Sequence, residues 1–443
     1  MKPLAWAARL PVGSGRAILL SGRNDDGLGQ WSFVSARPSA TLFVHGTAFQ
    51  IVNADGNVVA DGHGDVADLV EQFVTASAWP DGVDPDPIPS VMGYLGYEAG
   101  AMLEGVPTHP RGVPDVVLAA YPAVWRWAPG ATTPQLLARD HVAAQHLVAL
   151  LAPTGDEPAP APRLGPLGAD DSADAHCARI ATVQAYIAAG DVYQVNVARR
   201  WSASVLASGD ALALLASIDA LAPAPYSGLL EFADATLVSA SPEMFLQQRD
   251  RRVETRPIKG TRPRTGDISQ DAAARADLVL SEKDSAEHLM IVDLERNDLG
   301  RICEVGSVQV SEIGYVVELP QLYHRVSRVT GTLRAEVGIA ALLRATFPGG
   351  SITGAPKVRA MQIIAEVEPW SRGPYCGGFG WFGRANGAAA LELAIAIRIG
   401  VLTATALHVY VGGGIVADSE PLAEVRETDD KLAGWRTALQ QLR

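Results

Sequence analysis

Lysine is almost absent from this chain. Among 36 basic residues only Lys2, Lys259, Lys283, Lys357 and Lys431 are lysines; all the others are arginine. A genomic habit accounts for such a bias without saying anything about fold, yet it lets each amine be weighed alone. Cysteine is equally scarce. Cys177, Cys303 and Cys376 lie far apart with no CxxC pair, which excludes a disulfide framework or a zinc site and fits a reducing compartment. Long apolar runs are missing too. The longest candidate, near 391–416, is interrupted by Glu392, Arg398 and His408, so no membrane helix is expected. The opening MKPLAWAARLPVG, broken by Arg9 and Pro11, is too short an apolar run for a signal peptide. Finally, positive charge is in deficit: 49 acidic residues outweigh the 36 basic ones for a net charge of -13, with no basic run. That argues against a nucleic-acid partner. An anionic substrate would have to be held by local arginines or helix ends against the overall field. A cytoplasmic protein with no membrane partner is expected.

What is present reads as a large globular chain. With 443 residues, 48% hydrophobic and 19% charged, it has ample capacity to bury a core. One compositional seam, APTGDEPAPAPRLGPLGADDSAD at 152–174, reads as a surface linker and separates an N-terminal region, 1–151, from a C-terminal region, 175–443. Before the seam, β-like runs dominate at Ala17–Leu20, Trp31–Val34, Thr41–Val44, Ser90–Leu95 and Val116–Ala120, with helical pattern near 65–76 and 140–152. After it, helices are expected near 173–189, 209–219, 271–299, 338–346, 356–367 and 420–442, alternating with strands near 192–201, 236–248, 391–399 and 406–412. This mixed order predicts an α+β fold rather than a regular βαβ series.

Four segments can carry chemistry. Ser281 and Asp284 form a capping box opening SEKDSAEHLMIVDLERNDL, with Asp284 and Glu287 on one helix face. A last helix opens at Ser419 or Glu420 with Pro421 in its first turn, and Glu420, Glu424 and Glu427 share one stripe. Acidic first turns that complement a helix dipole explain both; so do facing carboxylates that hold Mg²⁺. In FPGGSITGAPKVRAMQII, Ala355-Pro356 separates the last glycine from Lys357, which rules out a Walker nucleotide loop. Gly350, Thr353 and Gly354 still let backbone N–H groups approach an anion, or simply make a turn. GxGxxG at Gly378, Gly380 and Gly383 is followed by a turn, so it fails as a dinucleotide motif. LELAIAIRI alternates as one strand that ends in Arg398, either a pocket clamp or a solvated side chain, and the next strand runs into Gly412-Gly413-Gly414. In TRPIKGTRPR, Lys259 is flanked by Arg256, Arg262 and Arg264; burial and neighbouring cations lower an amine's pKa and make it a nucleophile. A solvated basic loop is the plain alternative.

Taken together, PIKGTRPR, AEH…VDLERND, HRVS, FPGGSITGAPK and GGGIVADSEPLAEVRET resemble the chorismate-utilising enzymes, densely from about 175 to 435, and more loosely through ILLSG (18–22) and GYLGYEAG (93–100). The resemblance implies an α+β fold of stacked antiparallel sheets flanked by helices, built from both halves of the chain. PIKGT at Lys259 is similar to aminodeoxychorismate synthases, whereas anthranilate, isochorismate and salicylate synthases usually read PIAGT. Gln194 stands where isochorismate and salicylate synthases carry a water-activating lysine. The resemblance further implies Lys259 as covalent nucleophile and Glu243 as general acid/base, with His324 beside the ring. Thr353, Gly354, Tyr375, Arg398 and Gly412, Gly413 and Gly414 would hold the substrate. Mg²⁺ would bind Glu287 and Glu427, with Asp284 and Glu424 acting through water. No cysteine sits in a glutaminase motif and no lyase extension is expected, so ammonia would come from solution or from a separate glutamine amidotransferase subunit. ILLSG lacks the acidic or histidine residue common in that motif, which disfavours a tryptophan site. Anthranilate synthase component I and a non-catalytic regulator on the same fold are the alternatives.

Overall fold

The computed structural model describes residues 2–22, 27–80, 84–109, 112–152, 159–232, 235–319 and 322–442. Two antiparallel sheets, each twelve-stranded among the described residues, lie face to face with helices around them. The first sheet runs Arg163–Leu164, Gln194–Ala207, Ala406–Ile415, Ile399–Thr403, Ala235–Ser241, Tyr226–Phe232, Ala17–Ser21, Ser32–Ser35, Ala123–Trp127, Gln135–Ala138. The second begins with Ile258–Pro263, Leu322–Thr332, Arg252–Arg256, Met244–Arg249, Ala388–Ile395 and Gly378–Ala385, and continues through N-terminal strands from Ile88–Leu95 to Val58–His63. Both sheets therefore draw strands from both sides of the seam. Residues 153–158 of the seam lie outside the described residues; part of the remainder is paired rather than free, since Gly168–Ala169 bonds to strand Gln194–Ala207.

The expected helices form where their caps demand. Asp65, Asp140, Ser172 and Glu420 each accept backbone N–H bonds at a helix start. The span expected as one helix over 271–299 is two, Ile268–Leu280 and Glu282–Gly300, because Ser281 leaves the helical conformation and its hydroxyl caps Asp284 N at 3.1 Å. Between the sheets, apolar side chains interlock. Phe33 of the first meets Trp381 of the second with ring centroids 5.8 Å apart, and Tyr94 of the second meets Phe232 of the first at 5.1 Å. On the outer face of the first sheet, helices Leu212–Leu221 and Pro421–Gln441 cover Val238, Leu407 and Val409 with Leu215, Leu432 and Trp435. No helix among the described residues is long and apolar enough to cross a membrane.

Two expected strands are each broken in the same way. Residues 236–248 divide into Ala235–Ser241 in the first sheet and Met244–Arg249 in the second. Likewise 391–399 divides: Ala388–Ile395 belongs to the second sheet and Ile399–Thr403 to the first. The chain crosses between sheets at both places, and the crossings are hydrogen-bonded to each other through Ser241 Oγ to Ile395 O at 2.6 Å, Ile395 N to Glu243 O at 3.0 Å and Ala240 N to Arg398 O at 3.1 Å. Alternation on either side of a crossing looks continuous, which is why the sequence reads as one strand. The corner forces Arg398 to φ 51, a left-handed conformation that costs a non-glycine residue about 1 kcal/mol.

A buried charge ties the start of the chain to its middle. Arg16, 0% exposed, donates to Asp210 at 2.5 and 3.0 Å and to Glu231 at 2.7 and 2.9 Å. Replacing it leaves two carboxylates without their cation in the interior. Arg16→Met is expected to lower the unfolding free energy by about 3–5 kcal/mol in urea titrations; a change below about 1 kcal/mol would contradict this.

Candidate active site

The two sheet crossings and the strands beside them gather most of the expected residues. Glu243 sits in one crossing, 5% exposed, and Ile258 N approaches its Oε1 at 3.4 Å. Burial pushes its carboxyl up to about 7, while the nearby Ser351 hydroxyl, the Ile258 amide and the Lys259 charge oppose that rise. Lys259 lies next along strand Ile258–Pro263, the edge of the second sheet, yet its Nζ reaches the first sheet and donates to Gln194 Oε1 at 3.4 Å. Its amine is held below the ordinary lysine range. Burial is the main cause; Glu287 opposes it, Lys431 adds to it, and Glu243 and Glu427 oppose it.

The arginines expected to depress Lys259 do not. Arg256 donates to Glu254 at 2.6 Å, Arg262 to Asp277 at 2.5 Å and Asp284 at 2.8 Å, and Arg264 to Leu319 O at 2.9 Å. The cation that acts on Lys259 is Lys431, which the sequence left among the unremarkable lysines. Lys431 pairs with Glu427 at 2.6 Å and donates to Gly412 O at 2.8 Å. Lys357 also departs from that reading, since it is buried on Asp298 at 2.6 Å. The Lys431–Glu427 pair is an i,i+4 contact on one helix, but Lys431 beside Lys259 and Asp298 under Lys357 come from distant elements and are invisible in sequence.

His324, on strand Leu322–Thr332 beside Ile258–Pro263, pairs its Nδ1 with Thr261 Oγ1 at 2.9 Å, leaving Nε2 buried without a partner. Burial, then the Arg398 charge, lowers its pKa to about 3, so the ring is neutral. Arg398 itself is lowered by burial alone. The glycine run faces these groups because side chains do not fit. A Cβ on Gly412 would lie 2.9 Å from the Tyr375 hydroxyl, one on Gly413 3.2 Å from Glu424 Oε2, and one on Gly414 3.1 Å from Lys259 Nζ. Tyr375 stacks on Tyr410 with centroids 5.5 Å apart. Thr353 is fully buried and donates its hydroxyl to Gly349 O at 2.9 Å, while its carbonyl accepts Asn196 N at 2.8 Å. Gly354, at φ 147, allows Gln194 O within 2.1 Å of where a Cβ would stand.

The acidic residues split by role. Glu420 caps its helix, accepting Leu422 N and Ala423 N, and Asp284 accepts Arg262. Glu287 and Glu424 are both raised, first by burial, and each also feels a neighbouring carboxylate. Burial would raise Glu427 as well, but Lys431 outweighs it and leaves Glu427 lowered. Asp284 and Glu427 already have cation partners, while Glu287 and Glu424 have no ion pair among the described residues; a set of oxygen donors alone suits a hard divalent cation such as Mg²⁺. Among the described residues no three acidic, imidazole or thiol groups converge closely enough to hold an ion by themselves, so part of its shell would be water or substrate. A cavity of about 1300 Å³, lined by Phe43, His45, Phe49 and Phe232, opens elsewhere and contains none of these residues.

Glu295, which the sequence did not single out, lies buried on helix Glu282–Gly300 and accepts Thr255 Oγ1 at 2.8 Å. Burial raises it to about 8, with Glu243 and Asp298 contributing. Glu98, Glu243 and Glu295 all titrate higher when folded than the usual 4.3 or so of an unfolded glutamate. The folded state thus binds more protons than the unfolded one across that window. The stability contributed by these protonated carboxyls is complete at low pH and is lost as pH rises through about 7 to 8. Denaturant unfolding at pH 5, 7 and 9 is expected to show this decline, and Glu295→Gln to flatten it; an unaltered slope in the variant would refute the assignment.

Comparison with known proteins follows the same lines. The chain matches the family of chorismate binding enzymes over residues 30–436. It is 37% identical to aminodeoxychorismate synthase component 1 of Klebsiella aerogenes, over 94% of this chain and 91% of that one. It is 34% identical to anthranilate synthase component 1 of Cereibacter sphaeroides, over 93% and 86%. Among solved structures, anthranilate synthase component I from Streptococcus pneumoniae superposes with a TM-score of 0.77 at 27% identity, covering 91% of each chain. The Escherichia coli isochorismate synthase MenF, at 19% identity and a TM-score of 0.74, shares the fold. Matched by the family model over nearly its whole length, this chain belongs to the chorismate binding enzyme family.

Proposed function

We propose that this enzyme aminates chorismate at C4, giving 4-amino-4-deoxychorismate for 4-aminobenzoate and folate synthesis, as an aminodeoxychorismate synthase component I. The observation that carries the reading is the amine of Lys259, depressed by burial and reaching across to Gln194 on the opposite sheet. The name and near full-length match of the Klebsiella aerogenes relative support it.

In this mechanism the uncharged Lys259 amine attacks C2 of chorismate. Both ring double bonds shift by one position and the C4–O bond breaks. An alkoxide or hydroxide leaves poorly, so the leaving oxygen takes the proton of Glu243, whose carboxyl titrates at about 7 and still holds a proton near neutrality. Ammonia then adds at C4 as both double bonds shift back and the C2–N bond to Lys259 breaks, returning the free amine, and the new ammonium gives a proton back to the Glu243 carboxylate. Lys259 and Glu243 lie on the two sides of one hydrogen-bonded corner, since Ile258 N contacts Glu243 Oε1. Neutral His324 lines the ring without adding charge. Arg398, Tyr375, Thr353, Gly354 and the Gly412–Gly414 backbone hold the substrate carboxylates and side chain. Glu287 and Glu427 would bind Mg²⁺, with Glu424 and Asp284 through water, and that ion would neutralise a substrate carboxylate. Ammonia would be supplied by a separate glutamine amidotransferase subunit.

Anthranilate synthase component I is the second reading, favoured by relatives of that name. Purified enzyme with chorismate, Mg²⁺ and ammonia is expected to form aminodeoxychorismate by chromatography; anthranilate and pyruvate instead would overturn the assignment. Lys259→Ala is expected to lower turnover by at least about 10²-fold with the fold intact. Without ammonia, mass spectrometry is expected to find a chorismate-derived adduct on Lys259, and an unmodified Lys259 together with unchanged turnover in the variant would eliminate the covalent step.

A further inference from the structure

The turn ahead of Tyr375 contains a buried arginine that the mechanism above does not use. Arg372 is 1% exposed. It grips Glu368 with both edges of its fork, Nε to Oε2 at 2.8 Å and Nη2 to Oε1 at 2.6 Å. Its remaining donors go to backbone carbonyls: Nη1 to Ile352 O at 3.2 Å and Nη2 to Asn196 O at 2.8 Å. Glu368 Oε1 also accepts Ala198 N at 2.7 Å.

Each of those bonds ends on a segment that faces the substrate. Ile352 immediately precedes Thr353. Asn196, Val197 and Ala198 pair with Gly414, Gly413 and Gly412 across the strands Gln194–Ala207 and Ala406–Ile415. Tyr375 N donates to Arg372 O at 3.2 Å, and the guanidinium carbon lies 5.9 Å from the Tyr375 ring centroid. One guanidinium thus sets the relative positions of three separate parts of the carboxylate-binding wall. The guanidinium is planar and its fork geometry is fixed, so it transmits position as well as charge.

The anchor of this arginine is in the other half of the chain. Arg372 N donates to Glu98 Oε1 at 2.7 Å, and the ring of Tyr97 lies 4.7 Å from the guanidinium carbon. Glu98 is 3% exposed and its second oxygen has no hydrogen-bond partner. Tyr97 and Glu98 are in GYLGYEAG, the N-terminal motif to which no part of the chemistry was assigned.

We propose that Arg372, held by Glu98, is a positioning residue for chorismate, and that through it the N-terminal region takes part in substrate binding. This rests on Thr353, Tyr375 and the glycine run forming the substrate wall, and it is independent of where the ring is aminated. Small displacements of such a wall have large effects on binding.

Removing Arg372 outright strands Glu368 in the interior and endangers folding, so Glu98 is the residue to change. Glu98→Ala deletes the acceptor while keeping the Arg372–Glu368 pair, and Glu98→Gln restores an acceptor oxygen. Titration calorimetry with chorismate, without ammonia, is expected to show affinity about tenfold weaker in Glu98→Ala and within about twofold of wild type in Glu98→Gln. In the alanine variant KM is expected to rise with kcat changed by less than about twofold. Wild-type affinity in folded Glu98→Ala, or a loss shared equally by kcat and KM, would overturn the proposal. Wild-type protein that binds chorismate but forms another product would refute the proposed reaction alone, because the affinity comparison still stands. Wild-type protein that binds no chorismate would refute both.

Discussion

Two adjacent strands change sheets at the same point, and the polar corner between the sheets exists because they do. Ser241, Pro242 and Glu243 carry one strand across, and Ala396, Ile397 and Arg398 carry the other. Side-chain and backbone hydrogen bonds lock the crossings together. A strand that stays in its sheet turns alternate side chains toward the core and toward the outside. A strand that crosses brings polar side chains between two apolar layers, where solvent is excluded. Glu243 is raised by that exclusion and Arg398 is lowered by it. The left-handed backbone at Arg398 is the conformational cost of making the corner.

Three buried cations away from the corner are matched by carboxylates. Arg16 has Asp210 and Glu231, Lys357 has Asp298, and Arg372 has Glu368. At the corner the pattern reverses: among the described residues no carboxylate pairs with Arg398 or lies within salt-bridge distance of Lys259. Glu243 meets only a backbone amide and a neighbouring hydroxyl at close range. Unmatched charge inside a folded protein is costly, and it persists where a ligand completes the match. In the proposed reaction a dianionic substrate with a divalent cation would supply the missing charges. This accounts for how a chain with net charge -13 can bind an anion: the field that matters is set locally, by groups the fold leaves unpaired.

Helix starts were legible in sequence at Asp65, Asp140 and Ser172, where a short polar residue caps its own backbone; Ser281 was legible as a capping box, but not as a break in the single helix expected over 271–299. Lys259, Glu243 and the acidic stripe were legible as motifs. The crossings were not, because LELAIAIRI keeps its alternation right through the corner and nothing local marks the change of sheet. Nor were the electrostatic partners. Lys431 and Lys259 are brought together only by tertiary structure, and the flanking arginines that sequence proximity recommends turn away to carboxylates of their own. Glu295 was unreadable for a similar reason: its hydrogen-bond partner, Thr255, is on another element.

The antiparallel register of Gln194–Ala207 against Ala406–Ile415 has an evolutionary consequence. Gln194, Asn196 and Ala198 share one face of their strand, and Gln194 is the member that meets Lys259. A point substitution at either position exchanges one reactive group for another and leaves every backbone bond in place. A one-residue insertion upstream would instead bring Tyr193 to the amine and send the whole face outward. Divergence by replacement is therefore open to this architecture and divergence by insertion is closed at this strand. That fits a scaffold still shared with anthranilate synthase component I from Streptococcus pneumoniae at 27% identity.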